Sequence, residues 1–304
     1  MSQRISSSQM AVNAATYLQS PMQQIQDASV QLGTGKRVNQ PMDDPVAEGM
    51  IVNLNSQMER NNGFTAAAGT GASQLGLASQ LLGQAFSVLQ TAQTAALQGL
   101  NQGTMNQTDR DALAVQVDQT LNQMLNLANT KQAGRSVFAG YQTATDAFGA
   151  TTNAAGKITA VAYQGDAGMV QAQVGENMSV QTNVTGSTAF DAAGASTFQS
   201  LIAIRDSLSA GDQAGLSAGL SQLQQAIQTV TAQESRAGGL QASLQARQTA
   251  LGAQNNTLSK ERSQRQDADM AAVAMQYQQA MTTYQAGIQA AALVAKLPSI
   301  VNYL

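Results

Sequence analysis

The feature that most constrains the fold is a helical spacing of apolar residues that runs through most of the 304-residue chain. Apolar positions recur at steps of three and four over about residues 45–100, and again over about 213–295. This spacing is typical of helices that bury one narrow face against a partner helix. Between residues 144 and 195 the spacing changes to two, as from Val170 to Val174, which indicates strands. The chain is therefore predicted to be mainly α-helical with a β insert.

Glycines and prolines predict where the first helices end and begin. The first helix is expected to run to about Gln31, with Pro21 able to kink it, because the turn residues within 33–45 cannot form a continuous helix. Asp44 followed by Pro45 is typical of a helix start, with an N-cap and a proline at the first helical position. A second helix is therefore predicted from Pro45 to about residue 100.

Other local signals predict the remaining boundaries. A capping box is suggested at two places, Thr108–Asp111 and Ser196–Gln199. A short helix is expected to start at Ser196 and to end at Gly211. Gly165–Gly168 is predicted to be a hairpin loop between two strands. Charged residues concentrated over Lys260–Asp269 interrupt the last helical region once.

This order of elements predicts a long antiparallel, coiled-coil-like helical hairpin, with a small β domain inserted at the hairpin turn. Residues 1–33 and 270–304 would form a terminal helical coiled-coil domain. Residues 34–143 and 196–269 would form a helical rod domain, and residues 144–195 a β-rich outer domain. The alternation in the insert predicts that its apolar side is buried within the insert itself.

Composition excludes several classes of function. The chain has no Cys, His or Trp, which removes Ser/His/Asp triads, thiolate or imidazole metal sites and disulfides. Fifteen basic against 18 acidic residues give a net charge of −3, so no basic field would hold a nucleic acid. The apolar stretch Ala290–Ala295 is far shorter than a membrane span, and the first ten residues lack a secretory signal. We therefore expect no enzyme of these classes, no nucleic-acid partner and no membrane span.

Two motifs could suggest chemistry, and both are better explained by structure. The adjacent carboxylates Asp43 and Asp44 could serve as a catalytic pair, but glycosidase carboxylates flank a substrate cleft, whereas these share a predicted cap. The segment Gly33–Lys36 resembles the end of a phosphate-binding loop, but the required Gly and Ser or Thr are replaced by Val30 and Arg37.

The apolar stripes of the terminal helices predict an assembly interface. Each stripe is narrow, so an isolated terminal helix would not offset its own ordering entropy, and we expect it to order on assembly. Met and Tyr at helical spacing are most often packing residues. The predicted interface residues are Ile5, Val12, Met22, Ile25, Leu32, Met270, Val273, Tyr277, Met281, Tyr284 and Ile288.

The turn after the first helix is predicted to act as a hinge. We expect residues 33–45 and 259–269 to lie close together, with Lys36 and Arg37 opposite the carboxylates of Asp267 and Asp269. The predicted hinge residues are Lys36, Arg37, Asn39, Asp43, Asp44 and Pro45.

Several blocks resemble the flagellin superfamily. TGKRVNQPMDDPV at residues 34–46 is similar to the turn after the first helix in that family, and LANTKQAGRSVFAGYQT at 127–143 to the segment that leads into its variable region. PSIVNYL at 298–304 is similar to the C-terminus of its hook-filament junction members. These members are favoured over flagellin itself, which usually has GLRIN and DDAAG where this chain has GKRVN and DDPV.

The resemblance implies a structural protein of the bacterial flagellum that is exported unfolded through the type III apparatus. It implies a homo-oligomeric ring or helical layer outside the cell, between hook-associated protein 1 on the hook side and flagellin. An export chaperone and the type III apparatus are the other implied partners, and no cofactor is implied. Two alternatives stay open: flagellin itself, and a type III-secreted helical translocator, although a translocator normally needs a more apolar segment.

Overall fold

Long helices account for most of the computed structural model, which describes residues 7–101, 106–192 and 195–295. The helices of these ranges are α1 (Ser7–Thr34), α2 (Pro45–Gly99), α3 (Gln107–Ala128), α4 (Gly186–Ala189), α5 (Thr197–Ala210), α6 (Gln213–Gln266) and α7 (Met270–Ala295). Most strands lie within residues 144–195, where the spacing of two predicted them, and a short pair at residues 131–136 was not predicted. The predicted class, mainly α-helical with a β insert, is confirmed.

The predicted start of the second helix is confirmed in detail. A carboxylate oxygen of Asp44 accepts the N–H of Ala47 at 3.0 Å, which satisfies one of the donors left free in the first turn of α2, and Pro45 is its first residue. The predicted interruption of the last helical region is also confirmed, since α6 ends at Gln266 and α7 begins at Met270.

The predicted capping boxes are only partly correct. The Asn106 side chain accepts the N–H of Asp109 at 2.9 Å, and the Asp109 carboxylate accepts the N–H of Asn106 at 3.1 Å. The box predicted at Thr108–Asp111 is therefore wrong by two residues. Ser196 precedes α5 as predicted, but its side chain makes no capping hydrogen bond. Gly211 ends α5 in the left-handed conformation, with φ of +70°, which glycine adopts without strain.

The strands form antiparallel two-stranded sheets within the described ranges. The pairs are β1 (Lys131–Gln132) with β2 (Arg135–Ser136), β3 (Phe148–Thr152) with β4 (Ile158–Tyr163), β5 (Gln171–Gly175) with β6 (Met178–Gln181), and β7 (Asp191–Ala192) with β8 (Ala195–Ser196). The hairpin predicted at Gly165–Gly168 is wrong, because that segment links β4 to β5, which pair with different strands.

The chain divides into two compact units. The first contains the residues up to Arg60 and those from Gln254 onward, and the second is Asn61–Ala253. The β strands belong to the second unit. The division into a terminal domain, a rod domain and a separate domain at 144–195 stays a prediction.

In the second unit, α2 and α6 pack antiparallel. A methyl group added at Gly76 would lie 3.2 Å from the Gln241 side chain, and one at Gly83 would lie 3.1 Å from that of Glu234. Residue numbers along α6 therefore decrease as the numbers of the residues that they face in α2 increase. Leu75, Leu82 and Leu89 of α2 are fully buried between such contacts. The long helical stripes thus form the core that their spacing predicted.

One hydrophobic core joins the helices of this unit to the β insert. Phe148 of β3 contacts the ring of Phe198 in α5 at a centroid distance of 4.9 Å and that of Phe190 at 6.0 Å. Val174 of β5 is buried in the same cluster as Leu244 of α6. The prediction that the insert buries its apolar side within itself is therefore wrong. Strand periodicity shows which residues are buried together, but it does not show which element covers them.

Candidate assembly interface

The first unit contains the paired helices α1 and α7, which run antiparallel. A methyl group added at Gly287 of α7 would lie 2.7 Å from a methyl carbon of Leu18 in α1, so the two backbones approach closely there. Ala28 of α1 and Val273 and Ala280 of α7 are buried. The spacing of seven from Val273 to Ala280 and from Ala280 to Gly287 is the repeat of a two-helix seam.

The structure separates the predicted interface residues into two groups. Val273 is buried, and Ile25, Leu32, Tyr277, Met281 and Tyr284 are half-buried. Val12, Met22, Met270 and Ile288 are exposed, and Ile5 lies outside the described residues. The buried and half-buried residues lie on the seam between α1 and α7 or beside it. The stripe predicted for α7 is therefore wider than the face of α7 that α1 covers.

The seam contains small residues that are not among the predicted interface residues. Ala28, Ala280 and Gly287 lie on it, although only larger apolar side chains were assigned to the interface. The sequence contains a signal for them: Ala28 lies seven residues after Pro21, and Ala280 and Gly287 continue a spacing of seven from Val273. Close helix pairing needs small side chains at the contact. The largest apolar residues therefore do not mark the positions at which the two helices are closest.

Large apolar side chains on the outer surfaces of α1 and α7 are exposed to solvent. Tyr17 is 79% exposed, Met275 66% and Leu293 69%, and Val12, Val30 and Ile288 are also exposed. Scattered apolar residues are ordinary on a protein surface, but here both members of one helix pair carry several of them. These side chains, together with Met22 and Met270, form what we call the outer apolar surface of α1 and α7.

The helix breaks in the first unit are joined by main-chain hydrogen bonds. The N–H of Arg37 donates to the carbonyl oxygen of Gln266 at 2.7 Å, and the N–H of Ala268 donates to that of Gly35 at 2.9 Å. Lys36 and Asp267 form an antiparallel β-bridge between them. Gly35 has a φ of +70°, which favours glycine at this turn. The predicted proximity of residues 33–45 and 259–269, called the joint below, is confirmed.

The Arg37 side chain reinforces the joint. Its guanidinium donates to the Asp44 carboxylate at 3.1 Å and to the carbonyl oxygen of Arg265 at 2.8 Å. The planar guanidinium can donate in both directions at once, which a lysine ammonium cannot do with the same geometry. The side chain of Asn39 adds a hydrogen bond to the carbonyl oxygen of Lys36 at 2.8 Å.

The two adjacent carboxylates hold the turn and the start of α2. Asp43 accepts the N–H groups of Asn39 at 2.8 Å and Gln40 at 2.9 Å, and these two bonds lower its pKa. The pKa of Asp44 is also lowered, first by the N–H of Ala47 and then by the hydrogen bond from Arg37. Both groups favour the ionised form, as carboxylates that accept backbone N–H groups do.

The predicted charge pairs across the joint are wrong. Arg37 pairs with Asp44 of its own turn, rather than with Asp267 or Asp269. The Asp267 carboxylate accepts the hydroxyl of Ser263, and the Asp269 carboxylate accepts the N–H of Ala271 at 3.0 Å at the start of α7. Each carboxylate is thus bonded to a donor of its own segment, a hydroxyl for Asp267 and an N–H at the helix start for Asp269, which is closer than a side chain on another segment.

No group of three or more Asp, Glu, His or Cys residues is placed to hold a metal ion in the described parts of the chain. Among the described helices, none has an apolar stretch long enough to cross a membrane.

Two family models match the chain. That of the bacterial flagellin N-terminal helical region matches residues 5–143, and that of the bacterial flagellin C-terminal helical region matches residues 220–304. The first match contains α1, α2 and α3, and the second contains α7 and most of α6. Together they include both helices of the outer apolar surface and both sides of the joint.

The chain is also similar to a curated protein of known name. It is 35% identical over 162 residues to flagellar hook-associated protein 3 of Escherichia coli (strain K12). The similar region is 53% of this chain and 48% of that protein, so the chain spans about half the length of this relative.

Two solved structures share the fold. Flagellar hook-associated protein 3 from Legionella pneumophila matches with a TM-score of 0.62 at 16% identity, over 69% of this chain and 97% of that one. FlgL from Bacillus cereus matches with a TM-score of 0.53 at 22% identity, over 68% and 96%. At these identities the likeness concerns the arrangement of helices and strands.

Proposed function

Because the chain belongs to the bacterial flagellin family, we propose that it is a structural subunit of the bacterial flagellum that joins the hook to the filament. The observation that carries this proposal is the outer apolar surface of α1 and α7, which belongs to the terminal helical regions matched by the family models. A surface of this kind suits burial by neighbouring subunits.

The similarity to hook-associated protein 3 supports the junction role over that of the filament subunit. The curated relative and one of the structural neighbours carry that name. The turn sequence DDPV at residues 43–46 agrees with it, since flagellins usually have DDAAG at this turn. The alternative, flagellin itself, is favoured by the family models, whose descriptions name flagellin.

The proposed partners follow from a position between hook and filament. Copies of this chain would form a ring or helical layer, with hook-associated protein 1 on one side and flagellin on the other. The chain would reach this extracellular position through the type III export apparatus, accompanied by an export chaperone. In this role it performs no catalytic step and needs no cofactor, nucleic acid or membrane.

Within this proposal the two sides of the joint have a mechanical role. The terminal pair α1 and α7 would contact neighbouring copies, while the hydrogen bonds of Arg37 hold the helix breaks that lead to that pair. The predicted hinge residues Lys36, Arg37, Asn39, Asp43, Asp44 and Pro45 would thus set the direction of the pair. This use of main-chain bonds makes the joint less dependent on ionic strength than exposed charge pairs would be.

A deletion strain tests the proposal. If the chain is the junction subunit, cells without it export flagellin but cannot retain it, so that flagellin accumulates in the medium and no filaments are attached. If the chain is flagellin, the deletion removes the filament protein from both cells and medium. Attached filaments of normal number in the deletion strain would contradict both roles.

A further inference from the structure

The β insert makes two sets of contacts with the helices of the second unit. Its first hairpin, β3–β4, is bonded to the pair α3 and α5. The side-chain amide of Asn129, after α3, donates to the carbonyl oxygen of Phe148 at 2.9 Å and accepts its N–H at 2.8 Å. Arg205 of α5 donates to the carbonyl oxygen of Ile158 at 2.7 Å and to the Asp118 carboxylate at 2.9 Å. Arg205 is only 4% exposed, so these partners are needed to satisfy a buried charge.

The second hairpin, β5–β6, is hydrogen-bonded to α6, and the residue after it packs against α2. Arg247 of α6 donates to the carbonyl oxygen of Val174 at 2.9 Å, and Arg236 donates to the side chain of Gln181 at 3.1 Å. After β6, Thr182 lies so close to Gly71 of α2 that a methyl group there would be 2.5 Å from its methyl carbon. The hairpin and the residue after it therefore cover the helix pair around Gly71 of α2.

A compact corner joins the two hairpins. One carboxylate oxygen of Asp166 accepts the N–H of Tyr141 and the N–H of Gly168, both at 2.8 Å. The hydroxyl of Tyr163 lies 2.7 Å from the carbonyl oxygen of Asp166 and 3.0 Å from that of Phe138, and it can donate to either. Burial and the nearby Asp166 carboxylate raise the pKa of Tyr163 to about 12, so the hydroxyl stays a donor at neutral pH. The corner thus fixes where the second hairpin starts relative to the first.

The pair α3 and α5 covers a different stretch of α2. Leu208 of α5 lies against Gly99 at the C-terminal end of α2, whereas Gly71 lies near the middle of that helix. Ile204 of α5 lies against Gly219 of α6 in the same way, so α5, which packs against α3, covers one stretch of the pair α2 and α6, and β5–β6 covers another.

We propose that the β insert is a brace, which extends the cover of α3 and α5 along α2 and α6 and depends on Asp166 to connect the two parts. The second unit then depends on the insert for part of its stability. This inference goes beyond the proposed function and concerns the isolated chain, so it can fail while the junction role stands.

Amide hydrogen exchange on the isolated full chain tests the brace. In Asp166→Ala, we expect exchange to become at least ten-fold faster in β5–β6 and in the facing parts of α2 and α6 near Gly71 and Leu244. Asp166→Asn keeps an acceptor oxygen for the two N–H groups and should restore most of the protection. Asp146→Ala is the matched control, because this exposed carboxylate of the insert pairs with Lys131 at the surface, and it should leave exchange unchanged.

Replacement of residues 145–195 by a short Gly/Ser bridge is the second variant. The brace predicts a lower melting temperature and faster exchange around Leu244 in any bridged chain that folds, and loss of the folded state is an extreme form of the same result. The proposal is overturned if the faster exchange in Asp166→Ala is confined to residues 164–170. It is equally overturned if the bridged chain keeps the wild-type melting temperature and the protection at Leu244.

Discussion

The guanidinium of Arg37 donates to the carbonyl oxygen of Arg265 across 2.8 Å, although 228 residues separate the two in the sequence. This contact joins the turn between α1 and α2 to the end of α6. It coexists with the bond from the N–H of Arg37 to Gln266, so one residue holds the opposite side of the joint with both its main chain and its side chain.

Removal of the Arg37 side chain should loosen the joint locally. We expect Arg37→Ala to lower the free energy of unfolding by only about 0.5–1 kcal/mol, because the side chain is half exposed and its charge is screened. The amide of Ala268, which donates to Gly35 across the joint, should exchange faster. Lys36→Ala is the control, since Lys36 takes part through its main chain. Equal effects of the two substitutions on Ala268 would contradict the role of the guanidinium.

Two glycines of α2 should respond to alanine with opposite signs. Nothing lies within 4 Å of a methyl group placed at Gly63, so Gly63→Ala should stabilise the chain by about 0.5–1 kcal/mol through helix propensity. At Gly71 the methyl group would meet Thr182 and Leu244, so Gly71→Ala should destabilise it by about 1–3 kcal/mol. Urea unfolding measures both changes. The close approach at Gly71 would be in doubt if both variants were stabilised alike.

The observed cap of α3 can be separated from the predicted one. Asn106→Ala should cost about 1 kcal/mol, because it leaves N–H donors of the first turn unpaired. Thr108→Ala should change the free energy of unfolding by less than about 0.5 kcal/mol, since Thr108 is an exposed residue of the first turn. Thermal unfolding ranks the two variants, and the reverse order would favour the cap predicted from sequence.

Acid should weaken the turn that Asp43 and Asp44 hold. The fold lowers the pKa of both carboxyls, so the unfolded chain takes up protons first as the pH falls. Their contribution is therefore complete well above pH of about 4 and is lost as the pH falls below it. The double variant Asp43→Asn, Asp44→Asn should show a flatter decline in stability between neutral and acidic pH, because asparagine can still cap α2. A decline as steep as that of Asp146→Asn would contradict this assignment.

Sequence patterns predicted the elements that depend on neighbouring residues. The start of α2 at Asp44 and Pro45 could be predicted because a cap and a proline act within one turn. The stripe of Leu113, Val117 and Leu121 could be predicted because every turn of the helix needs an apolar residue on its buried face. The proximity of the two helix breaks followed from pairing the first helix with the last.

The contacts of the predicted elements were harder to infer. The pattern around Gly165–Gly168 shows turn residues, but the strands that it connects pair with β3 and β6, and a turn signal does not show which strands pair. Asn106 was overlooked because Thr108 and Asp111 have the same spacing, and only the geometry of the helix start decides between two such pairs. Ala280 and Gly287 were overlooked because small residues carry little hydrophobic signal, although they permit the closest contacts.

Filament attachment in cells that carry a changed outer apolar surface tests the central claim most directly. The variant Met275→Glu, Ile288→Glu adds charge at two exposed positions of α7, and Gln276→Glu, Gln278→Glu adds the same charge at exposed polar positions of that helix. Both variant chains should themselves be exported, but only the second should restore attached filaments in the deletion strain, while the first leaves flagellin in the medium. Attached filaments of wild-type number with Met275→Glu, Ile288→Glu would contradict the claim that this surface builds the junction.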